Sequence, residues 1–244
     1  MLSLFKKQPK LKELIPQGYT DIHSHVLCGI DDGAKTPADS RFLMESMKAM
    51  GFSKLIATPH TLSSVWPNTP ETIHNALQVV QRECSDLSSQ LQLQAASEYF
   101  MDEHFVTRFQ SEPLLALKDR HVLVEMSYLN APLQLFDILF ELQLKGYVPV
   151  LAHPERYTFY HNNIKAYEQL KKAGCLFQMN LLSSVGYYGP AVAKTADTLL
   201  GMGLVDFVGS DVHHAKHIAA FDHKVVLKKQ QAFEKAIAGN CFFE

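Results

Sequence analysis

The chain has 244 residues, enough for one domain with its own hydrophobic core, and we expect a single domain over 1–244. Its formal net charge is -2, with 23 Lys and Arg against 25 Asp and Glu, which offers no basic track for nucleic acid or an anionic membrane. The four cysteines form no close pair, which argues against disulfides or a cysteine zinc site and favours a cytoplasmic setting. No stretch approaches the ~20 apolar residues of a membrane span, and residues at about 1–12 form a short basic arm.

Apolar runs of strand length alternate with longer segments of helical periodicity, which is typical of βα units around a parallel sheet. The predicted strands are, in chain order, 19–22, 54–57, 91–96, 121–124, 148–152, 176–179 and 205–209. The predicted helices are 38–50, about 70–87, 133–145, 164–173, 191–202 and 225–237. Several helices begin after a Thr-Pro pair or end at a glycine, which are ordinary start and stop signals. The pattern predicts about seven βα units.

Metal-capable side chains follow nearly every predicted strand. They are His23, His25, His60, Glu98, Glu125, His153, Asp211 and His213. In a barrel of parallel strands the carboxyl ends share one face, so residues remote in sequence converge there. A single histidine after a strand is more often structural than a ligand, but this placement recurs across most of the strands. We therefore predict a metal site, and its imidazole and carboxylate groups favour Mn, Fe or Zn over a soft metal.

Five short motifs occur in an order that is more specific than any one of them. They are Asp21-Ile22-His23-Ser24-His25, Gly29-Ile30-Asp31-Asp32-Gly33, Thr58-Pro59-His60, His153-Pro154-Glu155-Arg156 and Ser210-Asp211-Val212-His213. Together they resemble the polymerase and histidinol phosphatase (PHP) superfamily, and more closely its manganese-dependent protein-tyrosine phosphatases of bacterial capsule and exopolysaccharide gene clusters. The resemblance runs from about 14 to 217. It implies an α/β fold, a distorted seven-stranded (β/α) barrel of the PHP type that is similar to a TIM barrel.

The resemblance also implies up to three divalent metal ions, with Mn first and Fe or Zn as alternatives. The residues implied for the first ion are His23, His25, Glu98 and Asp211. Those implied for the second are Glu125 and His153, with Glu98 bridging the two ions. Those implied for the third are Asp32, His60 and His213.

Arg156 is the implied phosphate-binding residue, because its planar guanidinium can hold two phosphate oxygens; the alternative is a salt bridge at the rim. Family members usually carry a second arginine just past the final histidine, whereas residues 214–218 here are His-Ala-Lys-His-Ile. Lys216 or His217 is the candidate replacement, and we take His217 as substrate-binding. Asp211, His213 or a bound water is the candidate that protonates the leaving oxygen.

The predicted activity is hydrolysis of phosphotyrosine in proteins. No cysteine has an arginine at the Cys-x5-Arg spacing, so metal ions rather than a thiolate must supply the nucleophile. The resemblance implies that the substrate is the tail of a bacterial tyrosine kinase that controls capsular or exopolysaccharide synthesis. The alternatives are a small-molecule phosphomonoesterase such as a histidinol phosphatase, which needs an acidic subsite, and a non-catalytic metal-binding PHP module. The oligomeric state stays open.

Overall fold

The computed structural model describes residues 8–244, and it has an α/β fold of parallel strands. Its strands are β1 (Tyr19–Asp21), β2 (Phe52–Ala57), β3 (His60–Thr61), β4 (Gln94–Ala95), β5 (Glu98–Phe100), β6 (His121–Glu125), β7 (Val148–Ala152), β8 (Leu176–Asn180) and β9 (Phe207–Gly209). They form a three-stranded sheet in the order β1-β2-β4 and a six-stranded sheet in the order β3-β5-β6-β7-β8-β9. All neighbouring strands pair in parallel. The predicted α/β class is confirmed.

Helices connect most of the strands. They are α1 (Pro37–Ala49), α2 (Pro70–Glu83), α3 (Ser85–Gln90), α4 (Glu103–Ser111), α5 (Leu135–Leu144), α6 (Ile164–Lys172), α7 (Pro190–Gly201), α8 (Ala215–Ala220) and α9 (Gln230–Gly239). Thr36 and Thr69 cap α1 and α2 as the Thr-Pro pairs predicted, since each hydroxyl accepts a bond from a backbone N–H of the first turn. Among residues 8–244, none of the helices has the length and apolar character to cross a bilayer.

Three predicted elements are wrong in detail, and one of them, the helix at about 70–87, divides at Cys84 into α2 and α3. The predicted strand 91–96 is only Gln94–Ala95 in the structure, and β5 begins beyond a break at Ser97. The Ser97 hydroxyl lies 2.6 Å from the Thr61 hydroxyl and 3.1 Å from the Pro59 carbonyl oxygen, so a side chain contributes to the pairing at this point. The predicted helix 225–237 begins only at Gln230, because the backbone N–H of Val225 donates to Pro9 instead of entering a helix. Helices α4 and α8 were not predicted.

Backbone hydrogen bonds link the two sheets at both sides. The Ala96 N–H donates to Ala57 (2.8 Å) and the Glu98 N–H to Pro59 (3.1 Å), which joins the interrupted segments β2/β3 and β4/β5. Beyond β1 and β9, the Asp211 N–H donates to His23 at 2.7 Å. The count of seven strands and a closed barrel stays a prediction, because the described chain divides into nine strand segments.

Apolar side chains from the strands fill the space between them. This cluster consists of Ile22, Ile56, Ala96, Leu117, Leu123, Val150, Ala152, Phe207 and Phe243. Phe243 closes the cluster where the strands begin, because its ring contacts His121 and Phe207, the first residues of β6 and β9. Polar functional groups are thereby left to the opposite end, at the carboxyl ends of the strands.

The described part of the predicted basic arm, residues 8–12, packs against the rest of the chain. Leu11 is fully buried, and the ammonium groups of Lys10 and Lys12 lie 2.9 and 2.8 Å from the Asp222 carboxylate. Residues 1–7 of that arm lie outside the described residues.

Gly209, the last residue of β9, generates a stability prediction. A Cβ there would lie 2.6 Å from the Cβ of His23 and 2.7 Å from Nε2 of Gln178. We therefore expect Gly209→Ala to lower the free energy of unfolding by about 1–3 kcal/mol, measured by urea denaturation. The control is Gly201→Ala in α7, where the nearest atom belongs to the flexible Lys229 side chain and no loss is expected. An unchanged urea midpoint for Gly209→Ala would contradict this close packing.

Candidate metal centre

The structure brings all nine predicted metal ligands together at one end of the strands. Four groups of possible ligand atoms, each within 4.8 Å of one another, are His23 with His25 and Asp211, His23 with Glu98 and His153, His60 with Glu98 and Glu125, and His25 with Asp32, His60 and His213. The groups share members, so they form one continuous cluster. Six of the nine side chains are buried. Their role as ligands stays a prediction.

Four side chains surround the first position in the arrangement predicted from the sequence. The His23 Nε2 atom lies 3.2 Å from Glu98 Oε2 and 3.3 Å from Asp211 Oδ1. The His25 Nε2 atom lies 3.5 and 3.4 Å from the same two oxygens. Both imidazoles reach the same two carboxylates because residues two apart in an extended segment point to one side.

His60 connects two of the groups rather than belonging to one. Its Nδ1 atom lies 3.0 Å from Glu98 Oε2 and 2.9 Å from Glu125 Oε1. Its Nε2 atom faces Asp32 Oδ1 at 3.4 Å, and His213 Nε2 lies at the same distance from that oxygen. The geometry therefore places His60 between the second and third predicted positions, whereas the sequence assigned it to the third alone.

Hydrogen bonds within the protein do not satisfy all the buried polar atoms of this cluster. Eight buried side-chain polar atoms of the described residues have no hydrogen-bond partner, and five of them belong to the cluster: His23 Nε2, His25 Nε2, His60 Nδ1, Glu98 Oε2 and His153 Nδ1. Buried polar atoms are normally paired, because an unpaired one costs on the order of 1–3 kcal/mol. Lone pairs of imidazole and carboxylate that converge without protein donors fit divalent cations.

The protonation states of two candidate ligands, His153 and Asp211, suit metal binding, which requires deprotonated ligands. Burial and the Arg156 guanidinium lower the pKa of His153 to about 4, so that this imidazole is neutral. Burial alone would raise the pKa of the Asp211 carboxyl, but the His23 and His213 imidazoles hold it well below its ordinary value. Both groups therefore keep lone pairs available for a cation.

Strand β8 carries no predicted ligand, and it supplies side chains that orient ligands instead. Gln178 donates from Nε2 to the Met179 carbonyl (2.8 Å), which turns its Oε1 toward His23 Nδ1 at 2.7 Å. The His23 proton must then lie on Nδ1, which leaves Nε2 free for a metal. Asp31 does the same for His25, with 2.7 Å between its Oδ2 and the His25 Nδ1.

The sequence interpretation missed these orienting residues, although signals for them are present. Asp31 is adjacent to the predicted ligand Asp32, and Gln178 and Asn180 alternate along β8 so that they share a face. The Asn180 amide donates to Asp211 Oδ2 at 2.7 Å.

Two of the candidate ligands have an uncommon backbone conformation. His153 has φ 35° and Asp211 has φ 51°, both in the left-handed region that non-glycine residues seldom adopt. Each follows shortly after a strand end, β7 and β9 respectively. Such local strain persists only where the surrounding contacts enforce it, and it concentrates at functional sites.

A pocket of about 480 Å³ opens above the cluster. Its floor includes ligand candidates, and its walls include Leu62, Trp66, Phe100, Tyr128, Leu129 and Tyr188. Arg156 lies in this pocket between Tyr128 and Tyr188, with its guanidinium 4.8 and 4.2 Å from the two ring centres. Its Nη1 atom donates to Asp211 Oδ2 at 2.8 Å. The arginine is thus fixed beside the cluster rather than at an outer rim.

Neither candidate for the missing second arginine presents a cation to the pocket. His217 lines the pocket, but burial lowers its pKa to about 4, and its Nδ1 faces the Asp211 carbonyl oxygen at 3.1 Å. Lys216 is exposed and does not line the pocket. His213 lines it and faces the Asp211 carbonyl through Nδ1 at 2.8 Å. Among the described lining residues Arg156 is the arginine, and no lysine lies beside it.

A parallel α/β fold with a cluster of histidines and carboxylates at its strand ends is typical of a metal-binding protein. Comparison with known proteins identifies the family. A family model described as capsular polysaccharide synthesis, CpsB/CapC, matches residues 19–238. The chain belongs to this family, and the relationship predicted from the five motifs is confirmed.

Relatives and solved structures agree with this assignment. The chain is 30% identical over 197 residues to the tyrosine-protein phosphatase YwqE of Bacillus subtilis, covering 80% of this chain and 78% of the relative. It is 27% identical over 200 residues to the tyrosine-protein phosphatase CpsB of Streptococcus pneumoniae, covering 80% and 82%. A crystal structure from work on YwqE and CpsB, which it describes as metal-dependent tyrosine phosphatases, matches this chain with a TM-score of 0.77 and 28% identity. The match covers 88% of this chain and 86% of the other.

A more distant structure shows the fold alone. A zinc-bound amidohydrolase from Burkholderia ambifaria matches with a TM-score of 0.52 at 10% identity, covering 96% of this chain and 86% of the other. The parallel α/β architecture is therefore shared beyond the family.

The Gln178 contact generates a prediction about metal affinity. Gln178→Met keeps the side-chain volume but removes the oxygen that fixes the His23 tautomer, so we expect metal affinity to fall about 10–100-fold. The measurement is calorimetric titration of the metal-stripped protein with Mn²⁺. Gln110→Met, at an exposed position of α4, is the matched control and should bind like the unaltered protein. Equal affinities for all three proteins would contradict an orienting role for Gln178.

Proposed function

We propose that this chain is a metal-dependent protein-tyrosine phosphatase. The observation that carries the proposal is the cluster of nine metal-capable side chains below a pocket with aromatic walls and one fixed guanidinium. The relatives named as tyrosine-protein phosphatases support the same activity. The substrate class is phosphotyrosine in proteins.

The proposed metal ligands follow the groups of the cluster. For the first ion they would be His23, His25, Glu98 and Asp211; for the second Glu98, Glu125 and His153; for the third Asp32, His60 and His213, because a neutral imidazole offers a lone pair from only one of its nitrogens. Mn is the proposed metal, and Fe and Zn are the alternatives because the same donor atoms accept them. When bound, such ions lower the pKa of a water molecule and stabilise charge on the phosphoryl group.

Arg156 is the proposed phosphate-binding residue. Stacking between Tyr128 and Tyr188 fixes the guanidinium plane, and the bond from Nη1 to Asp211 fixes its direction. The remaining N–H groups can donate to phosphate oxygens in the planar geometry that a guanidinium offers. Asp211 thereby has two proposed tasks, since one oxygen faces the first metal position and the other holds Arg156 and Asn180.

The walls of the pocket favour an aromatic substrate over a small amine. The acidic residues that line it are Asp32, Glu125 and Asp211, and all three are proposed metal ligands. No described lining carboxylate is then left to bind the amine of histidinol phosphate. Trp66, stacked on His60 with ring centres 4.8 Å apart, and Tyr128 instead offer flat apolar faces to a phosphotyrosine ring.

A non-catalytic module is the second alternative, and the state of the site argues against it. Loss of catalysis normally removes ligands or closes the pocket, yet the nine positions keep metal-capable groups and the pocket is open to Arg156.

The wider context extends the proposal. We propose that the natural substrate is the tail of a bacterial tyrosine kinase that controls capsular or exopolysaccharide synthesis, as the family description suggests. The reaction takes place in the cytoplasm, which agrees with four unpaired cysteines.

We also propose that the nine strand segments act as seven strands of one distorted (β/α) barrel, a single domain over 1–244. Two of the seven are interrupted, β2 with β3 and β4 with β5, and backbone hydrogen bonds from Ala96 to Ala57 and from Glu98 to Pro59 join them across the interruptions. The bond from Asp211 to His23 joins the chain just beyond β9 to the chain just beyond β1.

Removal and return of metal test the activity. We expect chelation to abolish hydrolysis of a phosphotyrosyl peptide and Mn²⁺ to restore it, because the chain offers no thiolate nucleophile at the required spacing. Phosphate release is measured, with histidinol phosphate as the parallel substrate and Fe²⁺ and Zn²⁺ as the alternative metals. A restored preference for histidinol phosphate would keep the metal site and overturn the substrate, and full activity in the chelated protein would overturn the mechanism.

A further inference from the structure

An exposed apolar surface extends from the mouth of the pocket along helix α5. We name it the α5 surface and define it by Leu129, Leu133, Phe136, Phe140 and Leu144, whose exposed fractions are 85%, 104%, 47%, 62% and 71%. With Tyr128, the segment 128–144 holds six of the twelve large apolar side chains that are exposed among the described residues. Exposed apolar residues are normally scattered over a monomer, so this concentration marks a binding surface.

The spacing of these residues makes α5 apolar on two faces. Phe136, Phe140 and Leu144 are separated by four residues each and therefore lie along one stripe of the helix. The opposite face is in the core and consists of Leu135, Ile138, Leu139 and Leu142. A helix that is apolar on both sides is normally covered on both sides.

Leu129 connects the α5 surface to the pocket. Leu129 and Tyr128 line the pocket, and Tyr128 also packs on the Arg156 guanidinium. The α5 surface is therefore continuous with the site that would hold the phosphotyrosine. A permanently bound second copy resting on Leu129 would close the mouth of the pocket, whereas a substrate covers it only during turnover.

We propose that the α5 surface binds the apolar side chains that flank phosphotyrosine in the substrate protein. This inference rests on the proposed function, and it adds a requirement on the amino-acid sequence around the phosphotyrosine. Helix α5 has ten residues and spans about 15 Å, which an extended chain covers with about five residues. Asp137 and Glu141 are the acidic residues of the same helix, so an apolar flank without acidic residues suits the surface best.

The test compares three substrates on the Mn²⁺-loaded protein. They are p-nitrophenyl phosphate and two phosphotyrosyl peptides of equal length, one with Leu and Phe three to eight residues from the phosphotyrosine on both sides and one with Ser in their place. We expect kcat/KM for the apolar peptide to exceed that for the Ser peptide at least about tenfold, because one well-covered Leu or Phe side chain corresponds to such a factor.

The double variant Phe140→Ser with Leu144→Ser tests whether the α5 surface binds the peptide. It should lose the preference for the apolar peptide and hydrolyse p-nitrophenyl phosphate at the original rate, because both side chains lie outside the pocket lining. The matched control is Val226→Ser with Met202→Ser, which replaces two exposed apolar residues outside the pocket lining and should keep the preference. If the double variant also loses hydrolysis of p-nitrophenyl phosphate, the single variant Leu144→Ser replaces it. That variant should lose part of the preference for the apolar peptide and hydrolyse p-nitrophenyl phosphate at the original rate.

The outcomes separate this inference from the activity itself. Equal kcat/KM for the two peptides, or an unchanged preference in the variant, overturns the binding role and leaves the phosphatase standing. A dimer in sedimentation that the variant abolishes, with unchanged peptide kinetics, assigns the surface to a second copy and also overturns it. No metal-restored hydrolysis of any of the three substrates overturns the phosphatase and this inference together.

Discussion

Nine ionisable side chains share one end of the parallel strands, and their unpaired lone pairs and charges are the constraint on which the site depends. Glu98 is fully buried and faces four histidines, with contacts of 3.0 to 3.5 Å to His60, His153, His23 and His25. Hydrogen bonds within the protein satisfy only part of this set, since five buried atoms stay unpartnered. Isolated buried charges are too costly to persist, so the arrangement is stable when cations complete it.

The irregular features of the fold concentrate around this same constraint. Pro59 interrupts one strand beside His60, because proline has no N–H to donate to a sheet. The left-handed backbone at His153 and Asp211, and the close approach of Gly209 to His23, lie at the same end of the sheet. Regular parallel strands bring the ligands near one another, and these local departures give them their final positions.

Much of the candidate site could be predicted from the sequence because its candidate ligands follow strands, and parallel strands align their carboxyl ends. The positions of His23, His25 and Asp211 required only that rule and the period of two in extended chain. Family motifs added Asp32 and Arg156. The position of His60 between two groups could not be predicted in this way. Its contacts depend on the rotation of the imidazole side chain, and the spacing of residues in the sequence does not determine that rotation.

Other features depend on contacts between distant segments, and sequence patterns do not record them. Gln178 looks like an ordinary strand residue until its amide is seen to bond both Met179 and His23. The segment after Val225 has helical periodicity, yet its backbone bonds to Pro9 and Ser184 keep it extended. The chain has 25 aromatic residues, and only the fold separates the wall residues Trp66 and Tyr128 from the buried Tyr99 and Tyr157.

The central claim is that these nine side chains form one multinuclear metal site. Its most direct test is X-ray diffraction at the manganese absorption edge from crystals grown with Mn²⁺. We expect anomalous peaks inside the groups of candidate ligands, with one between His23, His25, Glu98 and Asp211 and at least one more at His60. Anomalous density only at other positions, with water molecules between these side chains, would contradict it.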